Sequence, residues 1–293
     1  MKVAIYSRGL EEGQEVYLAM LLRELQSKKV SVLLYSSLTG TPWASILEEF
    51  NFTVFTSGSE LTIAIDCLIS LGGDGTMLDC ATLIRDRNIP LLGINFGRLG
   101  FLANIGKEEI KQAVDSLVAG TYITDQRTLI HADASLPIFA DAPFALNEFV
   151  LHKKDVASMI KVHTYLNGEF LNTYWCDGLI VSTPTGSTGY NLSCNGPILF
   201  PECGSFVITP IAPHHLNVRP IVVADNNIIS FEVEARSDEY ICSMDARREM
   251  VPKHVQVAVR KESFTIGLVR FNENTFLETL RNKLTWGLDK RNP

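Results

Sequence analysis

The sequence predicts an α/β domain built on a parallel sheet, followed by an all-β domain. Three observations lead there. In residues 1–121, short apolar runs alternate with segments of helical period. In residues 122–271 the helical period disappears, and runs rich in Val, Ile, Phe and Tyr recur between turn residues. The chain has 293 residues, long for a single core, so two domains are the default.

The elements follow in order. Residues 2–7 read as a first strand. Residues 15–28 place Leu18, Leu21, Leu22 and Leu25 at helical spacing, with charges between them. Residues 30–35 form a second apolar strand. Thr41-Pro42 has the pattern of an N-cap with proline at the first helical position, opening a helix to residue 50. Residues 52–55 and 67–71 are further strands, the latter followed by a glycine-rich turn and a helix. Residues 89–95 are a strand leading into the loop 96–101, and residues 107–118 an amphipathic helix with Gly120 as its C-cap. Alternation of this kind implies a Rossmann-like parallel sheet, with ligands at the carboxyl ends of its strands. The turn at 72–76 and the loop 95–101 both lie at such ends, so they can face one crevice.

The second half reads differently. Residues 160–166, 179–183, 205–211, 228–235, 254–260 and 264–271 are strand candidates, and Asn167-Gly168 is a hairpin signal. Two packed sheets, a β-sandwich-like domain, follow. The tail returns to helix: Asn274 can cap it, and Phe276, Leu277, Leu280 and Leu284 form one stripe. The expected organisation is thus an α/β domain at 1–121, completed by the helix 272–293, and an all-β domain at 122–271.

Composition removes several classes. Hydrophobic residues make up 46% of the chain, enough for packed interiors. A formal charge of −7 argues against a nucleic-acid partner, which requires a basic face. The six cysteines are scattered without a Cys-x-x-Cys pair and mostly sit in apolar runs, which points to reduced thiols. The N-terminus runs straight into a strand pattern and carries no signal-peptide grammar, and no apolar stretch reaches membrane-spanning length. A cytoplasmic protein without a membrane partner is expected.

Two stretches carry the chemistry. The first is Gly72-Gly73-Asp74-Gly75-Thr76, between strand and helix. Gly72, Gly73 and Gly75 let backbone N–H groups approach a ligand, and the helix offers unpaired donors that suit phosphate. Asp74 within such an anion site is unfavourable unless it binds a cation or takes a proton, which suggests phosphoryl transfer. A plain tight turn of glycine and aspartate is the competing reading. The segment carries neither a Walker lysine nor the GxGxxG spacing. The second stretch, residues 177–193, is an apolar strand that opens into hydroxyls and glycines: Thr183, Thr185, Gly186, Ser187, Thr188, Gly189, Tyr190, Asn191, Leu192 and Ser193. Such a loop offers N–H and O–H donors without bulk to a ligand bearing sugar and phosphate groups. Composition alone equally allows an ordinary polar loop. Asn147-Glu148 is a polar pair in an apolar run, which needs partners if buried. An amide suits base edges and a carboxylate suits ribose hydroxyls; a sheet-edge pair is the alternative. The histidines lack metal-ligand spacing, no metal site is assigned, and there is no Gly-x-Ser-x-Gly elbow.

Together, Gly-Gly-Asp-Gly-Thr at 72–76, Asn-Glu at 147–148 and the run from Asp177 to Tyr190 resemble, in order and spacing, the bacterial NAD kinases; Gly93-Ile94-Asn95 with Leu99-Gly100-Phe101-Leu102 resembles a further family segment. The glycine turn is shared with lipid kinases and 6-phosphofructokinases, whereas the stretch at 177–193 is far more specific. The resemblance implies phosphorylation of the adenosine-ribose 2′-hydroxyl of NAD by ATP, or by polyphosphate in some members. It also implies a divalent cation, usually Mg²⁺, and a homodimer or homotetramer. Carried over by position, Asp74 would be the general base. Phe101 would close over the nucleotide, and Asn147 and Glu148 would hold the adenosine part. Thr185, Thr188, Gly189, Tyr190, Asn191, Leu192 and Ser193 would line the dinucleotide site, and Asp177 would bind its other end. Three positions depart from the common pattern. Gly189 stands where many members have alanine. Asp245-Ala246-Arg247 stands where Asp-Gly-Gln is frequent, so that Arg247 could reach a phosphate. Asp79 is an acid where some relatives have a base. A lipid or sugar kinase and a non-catalytic NADP sensor are the rival readings.

Overall fold

A computed structural model describes residues 1–40, 44–271 and 275–285. The chain divides into two compact units, residues 1–126 with 266–293, and residues 127–265.

In the first unit, β1 (Lys2–Tyr6) leads to α1 (Glu15–Ser27), then β2 (Ser31–Tyr35), the short α2 (Ala44–Leu47) and β3 (Thr53–Phe55). Next come β4 (Cys67–Leu71), α3 (Asp74–Ile84), β5 (Leu91–Asn95), the two-residue β6 (Ile105–Gly106) and α4 (Ile110–Ala119). The strands β3-β2-β1-β4-β5 are parallel neighbours in that order, and β6 adds to β5. Such an order needs crossovers, which the helices supply. Strands β4 and β5 are buried along their whole length, which is why they read as unbroken apolar runs. Helix α1 buries Leu18, Leu21, Leu22 and Leu25, the spacing expected of a one-sided helix. Gly120 ends α4 at φ 70°, as its C-cap reading requires.

The second unit contains β7 (Ile123–Ala134, which begins in the first unit), β8 (Phe144–Ala145), β9 (Glu148–His152), β10 (Ile160–Leu166), β11 (Glu169–Cys176) and β12 (Gly178–Ser182). After the short helix α5 (Tyr190–Ser193) follow β13 (Ser205–Ile211), β14 (Ile221–Ala224), β15 (Ile229–Glu234), β16 (Glu239–Met244), β17 (Arg247–Pro252) and β18 (Val257–Arg270). One antiparallel sheet runs β14-β13-β12-β9-β16-β17. The other runs β11-β10-β15 to the first half of β18. Their inner faces share one apolar core, in which Phe149 and Phe231 stack at 6.1 Å. Asn167 and Gly168 both have positive φ, 52° and 83°, the backbone of a type I′ hairpin between β10 and β11.

Several expectations are corrected. In place of two strands at 254–260 and 264–271 there is one long strand, β18, whose second half lies in the first unit and pairs with β5 through Leu268 and Leu91. The hydroxyl-rich segment is helical, a 3₁₀ turn at Thr185–Thr188 running into α5. Thr41-Pro42 and Asn274 lie outside the described residues. The tail helix, α6 (Phe276–Leu284), is capped by Thr275, whose hydroxyl accepts the Glu278 N–H, because its extended φ/ψ suits a cap. Leu280 is buried there, while Leu277 falls off the stripe and is exposed.

Phe149 is fully buried between the two sheets of its unit, so Phe149→Ala leaves a cavity. The expected cost is about 3–5 kcal/mol, read as a lowered urea midpoint at unchanged slope.

Candidate functional site

In the first unit, β4 ends at the glycine turn. Gly72 has φ 148°, a region that favours glycine, and a Cβ there would stand 2.4 Å from the Thr76 hydroxyl. Gly73 caps α3 and Asp74 is its first residue. The Asp74 carboxylate accepts three consecutive backbone N–H groups, from Phe101 at 2.8 Å and from Leu102 and Ala103 at 3.0 Å. The loop that presents them is tied off internally. Asn95 Nδ2 donates to the Arg98 carbonyl, its Oδ1 accepts the Gly97 N–H, and the Gly100 N–H donates to the Ala103 carbonyl. Gly100 packs against the carboxylate so closely that a Cβ would lie 1.7 Å from Asp74 Oδ1. The two loops at the strand ends do meet, through Asp74. An ionised carboxylate has about four acceptor sites, so three N–H donors leave about one for a ligand proton.

Asp79, one turn further along α3, is not an unpaired acid. Arg8, at the end of β1, donates to it through Nε and through Nη2, the latter at 2.7 Å, and the Tyr6 hydroxyl adds a bond at 3.1 Å. Nothing in the linear sequence joins residues 8 and 79; the β1–β4 pairing does.

In the second unit, the turn between β16 and β17 brings Asp245 beneath the start of β9. Its carboxylate accepts the N–H groups of Leu146, Asn147 and Glu148 at 2.9, 2.8 and 3.2 Å. Thr183, at the end of β12, bonds the same segment from the other side, its hydroxyl to the Leu146 carbonyl and its N–H to the Asn147 carbonyl. Asn147 and Glu148 are thereby fixed next to the 3₁₀ turn. A Cβ on Gly189 would lie 3.3 Å from Glu148 Oε2 and 3.6 Å from Asn147 Nδ2. Glu148 Oε2 and Asn147 Oδ1 are both buried without a hydrogen-bond partner. Buried polar atoms are seldom left so, and two together mark a place for a polar ligand.

Burial, reinforced by nearby Asp245 and opposed by the Tyr190 N–H, pushes the Glu148 carboxyl up to about 8. Burial raises Asp245 as well, against its three N–H donors and Arg247. Three N–H donors favour the charged form of Asp245, whereas Glu148 is opposed in its rise by the Tyr190 N–H alone.

The remaining expected residues divide. Tyr190 is 39% exposed, Ser193 is exposed, and Thr188, Gly189 and Leu192 are half-buried. Thr185 is buried. Asn191 is fully buried, its amide donating to the Ser187 and Pro197 carbonyls and its oxygen accepting from Thr209, bonds that clip the turn together. Asp177 stands before β12 and Thr183 after it, about 20 Å apart at strand rise. Asp177 is ion-paired to Lys153 at 2.7 Å, and its charge reaches the Tyr190 hydroxyl, as does that of Glu148. Arg247 does not present a free guanidinium to a phosphate. It donates to the Ala142 and Phe144 carbonyls and lies over the rings of Phe139 and Phe144. Sequence reasoning missed Arg8, Thr183 as a tether, and Asp245 as an anchor. Only Asp245 left a local signal, an acid in a tight turn between two strand-like runs. No group of three or more His, Cys, Asp or Glu that could hold a metal occurs among the described residues, and none of their helices is long and apolar enough to cross a membrane.

Residues 18–122 match the ATP-NAD kinase N-terminal domain family, and residues 146–271 match the ATP-NAD kinase C-terminal domain family. The NAD kinase of Cytophaga hutchinsonii is 48% identical over 293 residues, the full length of both chains. This chain belongs to the NAD kinase family. The NAD kinase of Flavobacterium psychrophilum is 43% identical, again with full coverage of both chains. Among solved structures, yeast NADH kinase complexed with NADH aligns with a TM-score of 0.87 at 21% identity, over 99% of this chain and 89% of that one. An NAD kinase from Archaeoglobus fulgidus in complex with ATP aligns at 0.78 and 24% identity, over 97% and 99%. At those identities the two structures speak for the fold.

A pH dependence follows from Glu148. Its folded-state pKa of about 8 lies above the ordinary value of 4.5, so the folded chain binds the extra proton between these values. The stability this group contributes is fully present below 4.5 and is lost as pH rises to 8. Glu148→Gln is expected to remove a slope of up to about 1.4 kcal/mol per pH unit across that window, measured by urea unfolding at several pH values.

Proposed function

We propose that this chain transfers the terminal phosphoryl group of ATP to the 2′-hydroxyl of the adenosine ribose of NAD, giving NADP, and that it acts as a cytoplasmic homodimer or homotetramer. Within the NAD kinase family, one observation favours this substrate above others: Asn147 Oδ1 and Glu148 Oε2 are buried, unpartnered, and held rigidly beside Gly189 and Tyr190. An amide and a protonated carboxyl offer donors and acceptors matched to an adenine edge and ribose hydroxyls. A lipid kinase would have no use for that pair. The all-β domain, residues 122–271, is assigned the dinucleotide, and the α/β domain, residues 1–121 with 272–293, the phosphoryl transfer.

Asp74 is assigned as general base. A ribose hydroxyl is a poor nucleophile at neutral pH, and a carboxylate within hydrogen-bond reach can take its proton as the new bond forms. The ribose oxygen bonds to the terminal phosphorus, the bond from that phosphorus to its bridging oxygen breaks, and the electron pair leaves on ADP. Gly72, Gly73 and Gly75 leave the turn uncovered for phosphate oxygens. Phe101 donates its N–H to Asp74, so a nucleotide against Phe101 would lie near the carboxylate. Thr188, Gly189, Tyr190, Leu192 and Ser193 are assigned to line the dinucleotide site, with Asp177 at the far end of β12. Thr185 and Asn191 shape that wall from within, and Arg247 acts through the backbone at 142–144. Gly189 in place of alanine leaves room beside Glu148. A divalent cation, taken to be Mg²⁺, fits as a guest of the nucleotide: one carboxylate, phosphate oxygens and water suit Mg²⁺, whereas a protein-built cage would need more acids than this turn has. When bound, it would neutralise polyphosphate charge.

A coupled assay for NADP with NAD, ATP and Mg²⁺ tests the reaction, with NADH and polyphosphate run in parallel. Asp74→Asn is expected to lower kcat by about 10²–10⁴-fold. One carbonyl oxygen cannot accept all three loop N–H groups, so amide exchange at residues 101–103 is followed in the same variant. Turnover lost while those amides stay protected supports the base; wild-type turnover removes it. Gly100→Ala, whose methyl must displace the carboxylate, is expected to lower kcat with little change in either KM.

A further inference from the structure

The arginine at the end of β1 belongs to none of the motifs. Arg8 is bidentate on Asp79, and its Nη2 also donates to the Gly75 carbonyl at 3.1 Å. A guanidinium has five N–H donors. These contacts use three, all on Nε and Nη2, while Nη1 donates to no described group. Nη1 lies next to the glycine turn, 3.4 Å from where a Cβ on Gly75 would be. The Arg8 side chain is 53% exposed and that of Asp79 27%.

As a stabilising ion pair this arrangement is weak, because a pair so exposed contributes about 0–1 kcal/mol. As a way to aim a guanidinium it is strong. Two N–H bonds to one carboxylate fix the plane of the fork, a third to the Gly75 carbonyl fixes its position along α3, and the Tyr6 hydroxyl holds the carboxylate from the strand side. The edge left free is the one beside Gly75, which has no side chain to cover it. Without Arg8, Asp74 and Asp79 would place two negative charges where a polyphosphate must come.

We propose that Arg8 is a binding residue for the phosphate chain of the phosphoryl donor, and that Asp79 and Tyr6 are positioning residues that hold its free Nη1 edge over Gly75. The inference rests on the reading that the 72–76 turn receives the donor. The pair of N–H groups on Nη1 suits one or two non-bridging oxygens, a match that a point charge does not reproduce.

The test uses the full chain with inorganic tripolyphosphate and with ATP as probes, by calorimetry, and KM values for ATP and NAD. Arg8→Ala is expected to weaken tripolyphosphate binding and raise KM for ATP by about tenfold or more, the effect of losing one charge-assisted contact. KM for NAD should stay within about twofold. Arg8→Lys should recover part of the loss, since it restores charge without the fork. Asp79→Asn should raise KM for ATP to an intermediate value, because the guanidinium stays but is no longer aimed. If Arg8→Ala does not fold, Arg8→Gln carries the same expectation. Unchanged tripolyphosphate affinity in either variant overturns the proposal. So do equal losses for ATP and NAD accompanied by a lowered Tm, the mark of a purely structural role, and so does wild-type protein that does not bind tripolyphosphate. Failure of the kinase reading is separately visible, as wild-type protein that binds tripolyphosphate and forms no NADP.

Discussion

Asp74 accepts the backbone N–H groups of Phe101, Leu102 and Ala103, and Asp245 accepts those of Leu146, Asn147 and Glu148. The same interaction, a carboxylate gathering three consecutive peptide N–H groups, thus holds the chemical segment of each unit. Its strength comes from charge: bonds to an ionised acceptor are worth more than neutral ones, and three converge on one group. Its precision comes from the backbone, because three successive N–H groups can point at one acceptor only if the peptide path curves around it. Whatever touches Asp74 or the side chains at 147–148 is positioned by this device.

The two carboxylates differ in what they leave over. Asp74 is half-buried, with acceptor capacity unspent after its three N–H donors. Asp245 is committed to structure, and its charge raises the neighbouring Glu148 further than burial alone does. Burial raises both carboxyls, Glu148 to about 8, and it is the three N–H donors on Asp245 that set the two environments apart. Asp79 follows the same logic. It stands beside the glycine turn, and Arg8 and Tyr6 close on it.

Where sequence reasoning failed, it failed at contacts rather than at patterns. Asn191 sits in the most telling motif, yet nothing in the motif shows that its amide braces the turn through Thr209 from β13 and the Ser187 and Pro197 carbonyls. Arg247 was read as a potential phosphate contact because its charge suggested reach; the Phe139 and Phe144 rings and two carbonyls hold it elsewhere. Residues 182–193 read as a loop because hydroxyls and glycines carry no helical period. Buried peptide groups must nonetheless be paired, and a 3₁₀ turn braced by the Thr183 and Ser187 hydroxyls pairs them locally.

The sequence by itself determined the two fold classes, the element order of the α/β unit, the Asn167-Gly168 hairpin and the motifs of the NAD kinase family. These are properties of periodicity and of conformational preference at single residues, and both act along the chain. Tertiary structure alone decided that Asp74 would be clasped by residues 101–103, that Asp245 would hold 146–148, and that Arg8 would meet Asp79. Each of these joins residues from 27 to 99 positions apart. Their meeting depends on which strands become neighbours, and strand pairing is settled by the burial of whole apolar faces rather than by the polar residues it brings together.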